Sequence, residues 1–139
     1  MNITMRKFLM MFTLAMVAFM GVSCSEIDLS GKWTLVSVGN ETVEVMKDMP
    51  VPFISFDAEK GRVHGNAGVN LFNGSYLLNG RKVSFGELVT TMMAGPEESM
   101  NLESQVLSSL GRTESVKISG DELKLLSSDG TTLLVYKKN

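Results

Sequence analysis

Few side chains in this sequence could do chemistry. The chain of 139 residues holds one His, His64, and one Cys, Cys24, whereas a nucleophilic triad or a metal centre needs several such groups to converge. Arg62, His64 and Asn66 alternate with Val63 and Gly65, the pattern of a strand with one wet face. His64 therefore reads as a solvated surface imidazole, and no Ser, Cys or carboxylate is placed beside it by spacing. Asp57 with Glu59, and Glu97 with Glu98, are carboxylate pairs by count alone: the first borders a turn before Gly61, and the second opens a helix whose N-terminal dipole favours negative charge. The Gly- and Asn-rich run from Gly65 to Asn73 lacks the Lys and the strand-to-helix setting of a phosphate loop, so turn geometry accounts for it. Trp33, Phe53, Phe56, Phe72, Tyr76 and Phe85 could line a cavity, but a domain this small needs them for its core. Met92 and Met93 likewise read as packing. The expectation is no catalytic residue, no metal, no cofactor and no nucleotide.

Cys24 is different, because its position gives it a use. Met1 to Lys7 is a short basic leader, and Phe8 to Met20 runs apolar with only Thr13 polar. That is too short for a bilayer span of about 20 residues and suits the apolar part of a secretory signal. Six of the eleven Met residues lie in this leader, so the folded part is less greasy than the whole chain suggests. Gly21-Val22-Ser23-Cys24 resembles the lipobox of bacterial lipoproteins, in which a small residue precedes a Cys that is diacylated and becomes the mature N-terminus. Gly21 stands where that motif usually has Leu, and Gly21 with Ser23 also fits ordinary signal cleavage before Cys24, which would yield a soluble secreted or periplasmic protein. A lone thiol in an exported chain has no intramolecular disulfide partner, and acylation would consume it. Residues 1–23 are thus expected to be a lipoprotein-type signal peptide, Cys24 the lipid attachment site and 24–28 a short tether. Ser25 in place of Asp would allow sorting to the outer membrane, as for lipoproteins in general.

The residues from Cys24 onward carry 11 basic and 15 acidic side chains, a net charge near −4, which argues against nucleic acid. One domain is expected, without an internal linker. Strands are predicted over Gly31 to Val38, Val51 to Asp57, Arg62 to Asn66, Ser75 to Leu78, Arg81 to Phe85, Ser115 to Ser119, Glu122 to Ser127 and Thr131 to Tyr136. Asn79-Gly80 marks a tight hairpin, because both residues tolerate the positive φ of a type I′ turn. Met100, Leu102, Val106, Leu107 and Leu110 share one helical face, with Pro96 at the start, Glu97 and Glu98 in the first turn and Gly111 as the cap, so one helix is predicted over about 96–110. The fold class is mainly β with one helix (α+β): a small curled antiparallel sheet or barrel-like meander with the helix packed on it or closing it.

Gly31-Lys32-Trp33, then Val63-His64-Gly65-Asn66-Ala67-Gly68-Val69-Asn70, Thr91-Met92-Met93-Ala94-Gly95, the Glu-led helix from Glu103 to Leu110, and Gly120-Asp121-Glu122-Leu123-Lys124-Leu125 occur in the order of the META domain, the HslJ-like family. The resemblance spans residues 29–137. Its motif positions here are Gly65, Gly68, Val69, Asn70, Thr91, Met93, Ala94 and Gly95. Many members carry Cys where this chain has Val69 and Gly95; both are missing together, which hints that the two positions are neighbours in space and voids any redox role for the pair. The resemblance implies a link to heat or antibiotic stress tolerance and supplies no mechanism.

The expected function is that of a non-catalytic, lipid-anchored protein of the bacterial cell envelope. It would hold the membrane through its lipid and meet an envelope protein through sheet edges or loops. The alternative is a carrier that holds a small apolar ligand within the curled sheet.

Overall fold

The computed structural model describes residues 26–139. The signal-peptide reading of 1–23 and the acylation reading of Cys24 fall outside the described residues.

Among the described residues, ten strands and one helix follow each other as β1 (Gly31–Val38), β2 (Glu41–Thr42), β3 (Phe53–Asp57), β4 (Arg62–Asn66), β5 (Leu71–Asn79), β6 (Lys82–Phe85), β7 (Val89–Thr90), α1 (Glu97–Arg112), β8 (Ser115–Ser119), β9 (Glu122–Leu126) and β10 (Thr132–Lys138). The order β10-β9-β8-β6-β5-β4-β3-β1 closes on itself because β10 also pairs with β1, so the sheet is a barrel; β2 pairs back on the end of β1 and β7 pairs with β5 at the rim. All pairings are antiparallel. Closure removes the exposed edges that an open sheet of this length would leave. It requires local bending, and register shifts supply it in β1 between Leu35 and Ser37 and in β10 between Thr132 and Leu134. The second shift explains why adjacent Leu133 and Leu134 are both buried in a strand that should alternate.

The inward face of the barrel is filled. Trp33, Phe56, Phe72, Tyr76 and Tyr136 interdigitate with Ile54, Val63, Leu123 and Leu125. Gly65 makes room for this packing: a Cβ there would lie 2.1 Å from the Phe53 carbonyl oxygen and 2.7 Å from the Phe72 ring. Phe56 and Tyr76 meet edge to face at 5.0 Å between centroids. Phe53 departs from the expected core, since it is only half-buried on the outer wall, under Lys32 and against His64.

One mouth of the barrel is stopped by the N-terminal segment. Leu29 is buried, its carbonyl accepts the Trp33 indole N–H at 2.9 Å, and Ile27 packs against the core. The Lys138 ammonium lies over the Trp33 ring at 4.5 Å. The helix covers the opposite mouth, where β1 and β4 end and β5 begins, and drives Val106 and Leu110 into the core.

Several local expectations are corrected. The helix runs two residues further than predicted and passes through Gly111; Thr113 ends it, donating its hydroxyl to the Ser109 carbonyl and its N–H to that of Leu110. The buried helical face is Ser99, Glu103, Val106, Ser109 and Leu110, rotated from the predicted apolar stripe so that Glu103, not Met100, lies inward. β5 starts at Leu71 rather than Ser75, because the strand begins within the Gly- and Asn-rich run. Asn66 leaves the wet face of β4 and is buried, its Oδ1 accepting the Gly68 N–H at 2.8 Å. Met92 and Met93 do not pack: they are 97% and 57% exposed.

Candidate functional site

Gly68, Val69, Asn70, Thr91, Met93 and Gly95 meet at the helix end of the barrel, between the β4–β5 loop, the segment from β7 to α1, and α1 itself. At their centre is Asn70, buried at the head of β5. Its side-chain amide donates to Glu103 Oε2 at 2.8 Å and to the Met93 carbonyl at 3.0 Å, while its Oδ1 accepts the Met93 N–H at 2.7 Å and the Thr91 hydroxyl at 2.9 Å. Both amide hydrogens and both lone pairs of Asn70 are thereby used. Glu103 Oε1 accepts the backbone N–H groups of Asn70 at 2.5 Å and Val69 at 3.2 Å. Thr91 Oγ1 in turn accepts the Leu71 N–H at 3.1 Å.

This network explains how a carboxylate comes to lie on the buried face of an amphipathic helix. The β4–β5 loop presents N–H groups that no strand partner takes, and a buried unpaired N–H costs on the order of 1–3 kcal/mol. Glu103 reaches across to satisfy them, so the helix is pinned to the loop by charge-assisted hydrogen bonds rather than by apolar contact alone. Gly68 permits the approach: a Cβ there would sit 2.6 Å from the Ser99 carbonyl oxygen and 3.1 Å from Glu103 Cβ, and its φ of +152° is open to glycine.

Val69 and Gly95 are neighbours, as their joint departure from the family pattern hinted. A Cβ built on Gly95 would fall 2.6 Å from Val69 Cγ2 and 3.4 Å from Val69 Cβ. The Val69 methyls occupy the space that a side chain at 95 would need. Ala94 is exposed and makes none of the bonds of the network. Gly65 lies apart, inside the barrel wall, where its role is to admit Phe72.

His64 is on the outer wall with Arg62, whose guanidinium donates to Asn73 Oδ1 at 3.2 Å. Asp57 caps its own turn through the Lys60 N–H, and Glu97 and Glu98 are exposed at the helix start. Among the described residues, no three His, Cys, Asp or Glu side chains converge as metal ligands would. Burial pushes the Tyr136 phenol well above its usual range, and Asp129, in the β9–β10 turn, is held at about 2 by the Ser127 hydroxyl and the Thr131 N–H.

Beside the network, α1 and the β2–β3 connection enclose a half-open groove of about 150 Å³. Val43, Val45, Met46, Met49 and Leu102 line it together with the polar side chains of Glu41, Glu44, Glu98 and Gln105.

A family model described as "META domain" matches residues 26–139. The chain belongs to the META domain family. Solved structures of similar fold include a protein determined by NMR, at 25% identity and a TM-score of 0.61, covering 78% of this chain and 89% of that one. A protein from Burkholderia xenovorans, also determined by NMR, matches at 24% identity and a TM-score of 0.63, over 80% of this chain and 83% of that one. A DUF4847 family protein from Bacteroides vulgatus matches at 15% identity and a TM-score of 0.57, over 81% and 95%. No curated protein matches the chain.

Of the META domain motif residues, Gly68, Val69, Asn70, Thr91 and Met93 thus join Glu103 in one object, a polar latch that fastens the helix over the barrel mouth. Sequence reasoning found Asn70, Thr91 and Met93 only through the family motif, and it assigned Glu103 to the helix without a role. The available signal was the helical spacing itself: Glu103 falls three residues before Val106 and seven before Leu110, inside the apolar stripe. The groove left no trace in the sequence, because its walls come from segments about 50 residues apart.

Proposed function

We propose that this META domain is a non-catalytic module of the bacterial cell envelope, anchored by lipid on Cys24, that contributes to stress tolerance by contacting another envelope protein. The observation that carries the non-catalytic reading is the complete use of Asn70 and Glu103 in holding the helix: the polar groups gathered by the family motifs are bonded to one another and to backbone. Support for the anchor comes from Gly21 to Cys24 and from the absence of a second Cys to pair with it. An outer-membrane address and the stress role rest on the general behaviour of lipoproteins and on the family resemblance.

The contact surface on this reading is the helix end. Met46, which lines the groove and takes the Ser99 hydroxyl on its sulfur, and Met92, Met93, Leu71 and Val89 around the β5–β7 rim are exposed apolar side chains. An apolar ligand within the barrel would have to displace Trp33, Phe56, Phe72 and Tyr136, so the carrier alternative is not favoured. Affinity capture with the membrane-extracted protein tests the proposal. A partner should be recovered with the wild type and lost with Met92→Ser/Met93→Ser. Equal recovery with both, or none above a Cys24→Ser control, would count against it.

A further inference from the structure

Two observations bear on how the barrel would stand on a membrane. The first is where the chain enters the fold. Ile27 and Leu29 are packed into the mouth opposite the helix, with Leu29 held by the Trp33 indole. Cys24 precedes Ile27 by three residues, and three residues span at most roughly 11 Å. A lipid on Cys24 therefore leaves this mouth against the headgroups, while the helix end stands a barrel length away, roughly 20 Å for tilted strands of this size.

The second observation is independent of the tether. The segments at the helix end, namely 39–52, 67–70, 86–114 and 127–131, carry nine acidic residues against Lys47 and Arg112. At the entry end, 26–32, 57–62, 79–82, 119–122 and 137–139 carry seven basic residues against six acidic ones. The only ion pair of the described residues, Lys124 with Glu122, lies on the β8–β9 hairpin and neutralises nothing at the helix end. An anionic bilayer attracts Lys and Arg near its surface and repels carboxylates, with a reach of about 8–10 Å in physiological salt.

We infer that the entry end, presenting Lys60, Arg81, Lys82, Lys137 and Lys138, rests on an anionic lipid surface and that the helix end faces away from it. This rests on the anchor proposed above and adds to it an orientation and a lipid preference. Lys138 occupies a pivotal place: its ammonium covers Trp33 and bonds the Ser30 carbonyl at the mouth that meets the lipid.

Quenching by brominated lipids tests the inference, because Trp33 is the sole tryptophan and one more indole can be added at either end. Membrane-extracted Glu59→Trp and Met92→Trp proteins are reconstituted into vesicles of brominated phosphatidylcholine with or without phosphatidylglycerol. Both positions are exposed, so folding is spared. The quenched fraction of total emission is expected to rise above wild type for Glu59→Trp and to fall toward half of wild type for Met92→Trp, with a wider gap on phosphatidylglycerol. Equal quenching of the two variants, or stronger quenching of Met92→Trp, overturns the orientation. A gap indifferent to lipid charge overturns the lipid preference. Protein that fails to float with the vesicles overturns the anchor itself, a result read before any quenching.

Discussion

The two mouths of this barrel are closed by opposite means. At the entry mouth the stopper is apolar: Leu29 is buried and Ile27 packs against the core, with one hydrogen bond from the Trp33 indole and the Lys138 cation over its ring. At the helix mouth the fastening is polar, with Glu103 and Asn70 taking up backbone groups of the β4–β5 loop and of the segment before α1. An apolar plug tolerates sliding, whereas a network of directional bonds fixes one geometry and fails sharply when a member is lost. The polar mouth is also the one that carries exposed Met92 and Met93 and the groove. Precision is thus concentrated where a partner would need a fixed surface, and tolerance where the proposed lipid tether would join the fold.

The sharpest way to break this contrast lies between the two mouths. Gly65→Ala drives a Cβ to 2.1 Å from the Phe53 carbonyl oxygen, backbone that cannot retreat without parting β3 from β4. A loss exceeding about 4 kcal/mol, or no folded protein at all, is expected by circular dichroism and urea unfolding. Next is the latch. Glu103→Ala strands the N–H groups of Val69 and Asn70 and the Asn70 amide, and should cost about 3–5 kcal/mol; Glu103→Gln keeps an acceptor oxygen and should cost less than half as much. Equal, small losses for the two variants would mean that the helix is held by Val106 and Leu110 alone.

The reverse experiment strengthens the helix mouth. Val69 and Gly95 place Cβ positions 3.4 Å apart, at the short edge of the spacing that a disulfide spans. In a Cys24→Ser background, Val69→Cys/Gly95→Cys should oxidise spontaneously and gain about 3–4 kcal/mol for the loop closed, lost again on adding reductant. A double variant that stays reduced in air would show that the β7–α1 segment is set differently. The smallest effect is at Asp129. Its carboxyl is depressed, so its contribution is complete above the unfolded value near 3.9 and is lost as pH falls through about 2. An NMR titration should place its midpoint near 2 in the wild type and closer to the ordinary value in Ser127→Ala; an ordinary midpoint in both would remove that turn's cap.

Much of the barrel was legible because its strands are local objects. β1 and β8 fall where alternation placed them, and a tight hairpin joins β5 to β6, but its turn is Gly80-Arg81 rather than Asn79-Gly80: Gly80 has a φ of +62°, while Asn79 stays in β5 opposite Lys82 without the positive φ of a type I′ turn. Closure was not legible: the pairing of β1 with β10 joins the two ends of the domain, and nothing in either strand's own pattern specifies its partner. The helix was found, but its facing was misjudged by one step, since apolar periodicity weighs Met100 above Glu103 and cannot foresee that unpaired N–H groups of a distant loop will draw a carboxylate inward. The same blindness made Met92 and Met93 core residues in expectation and surface residues in fact. The β2–β3 connection, which walls the groove, has no repeating pattern, so its placement depends wholly on the helix opposite.

The contrast between the mouths has functional meaning only if the entry mouth is tied to a membrane. Intact mass of the protein extracted from membranes measures this directly. The expected species begins at Cys24 and carries diacylglycerol on its sulfur. A free thiol on protein recovered from the medium, or a chain that retains residues 1–23, would contradict it.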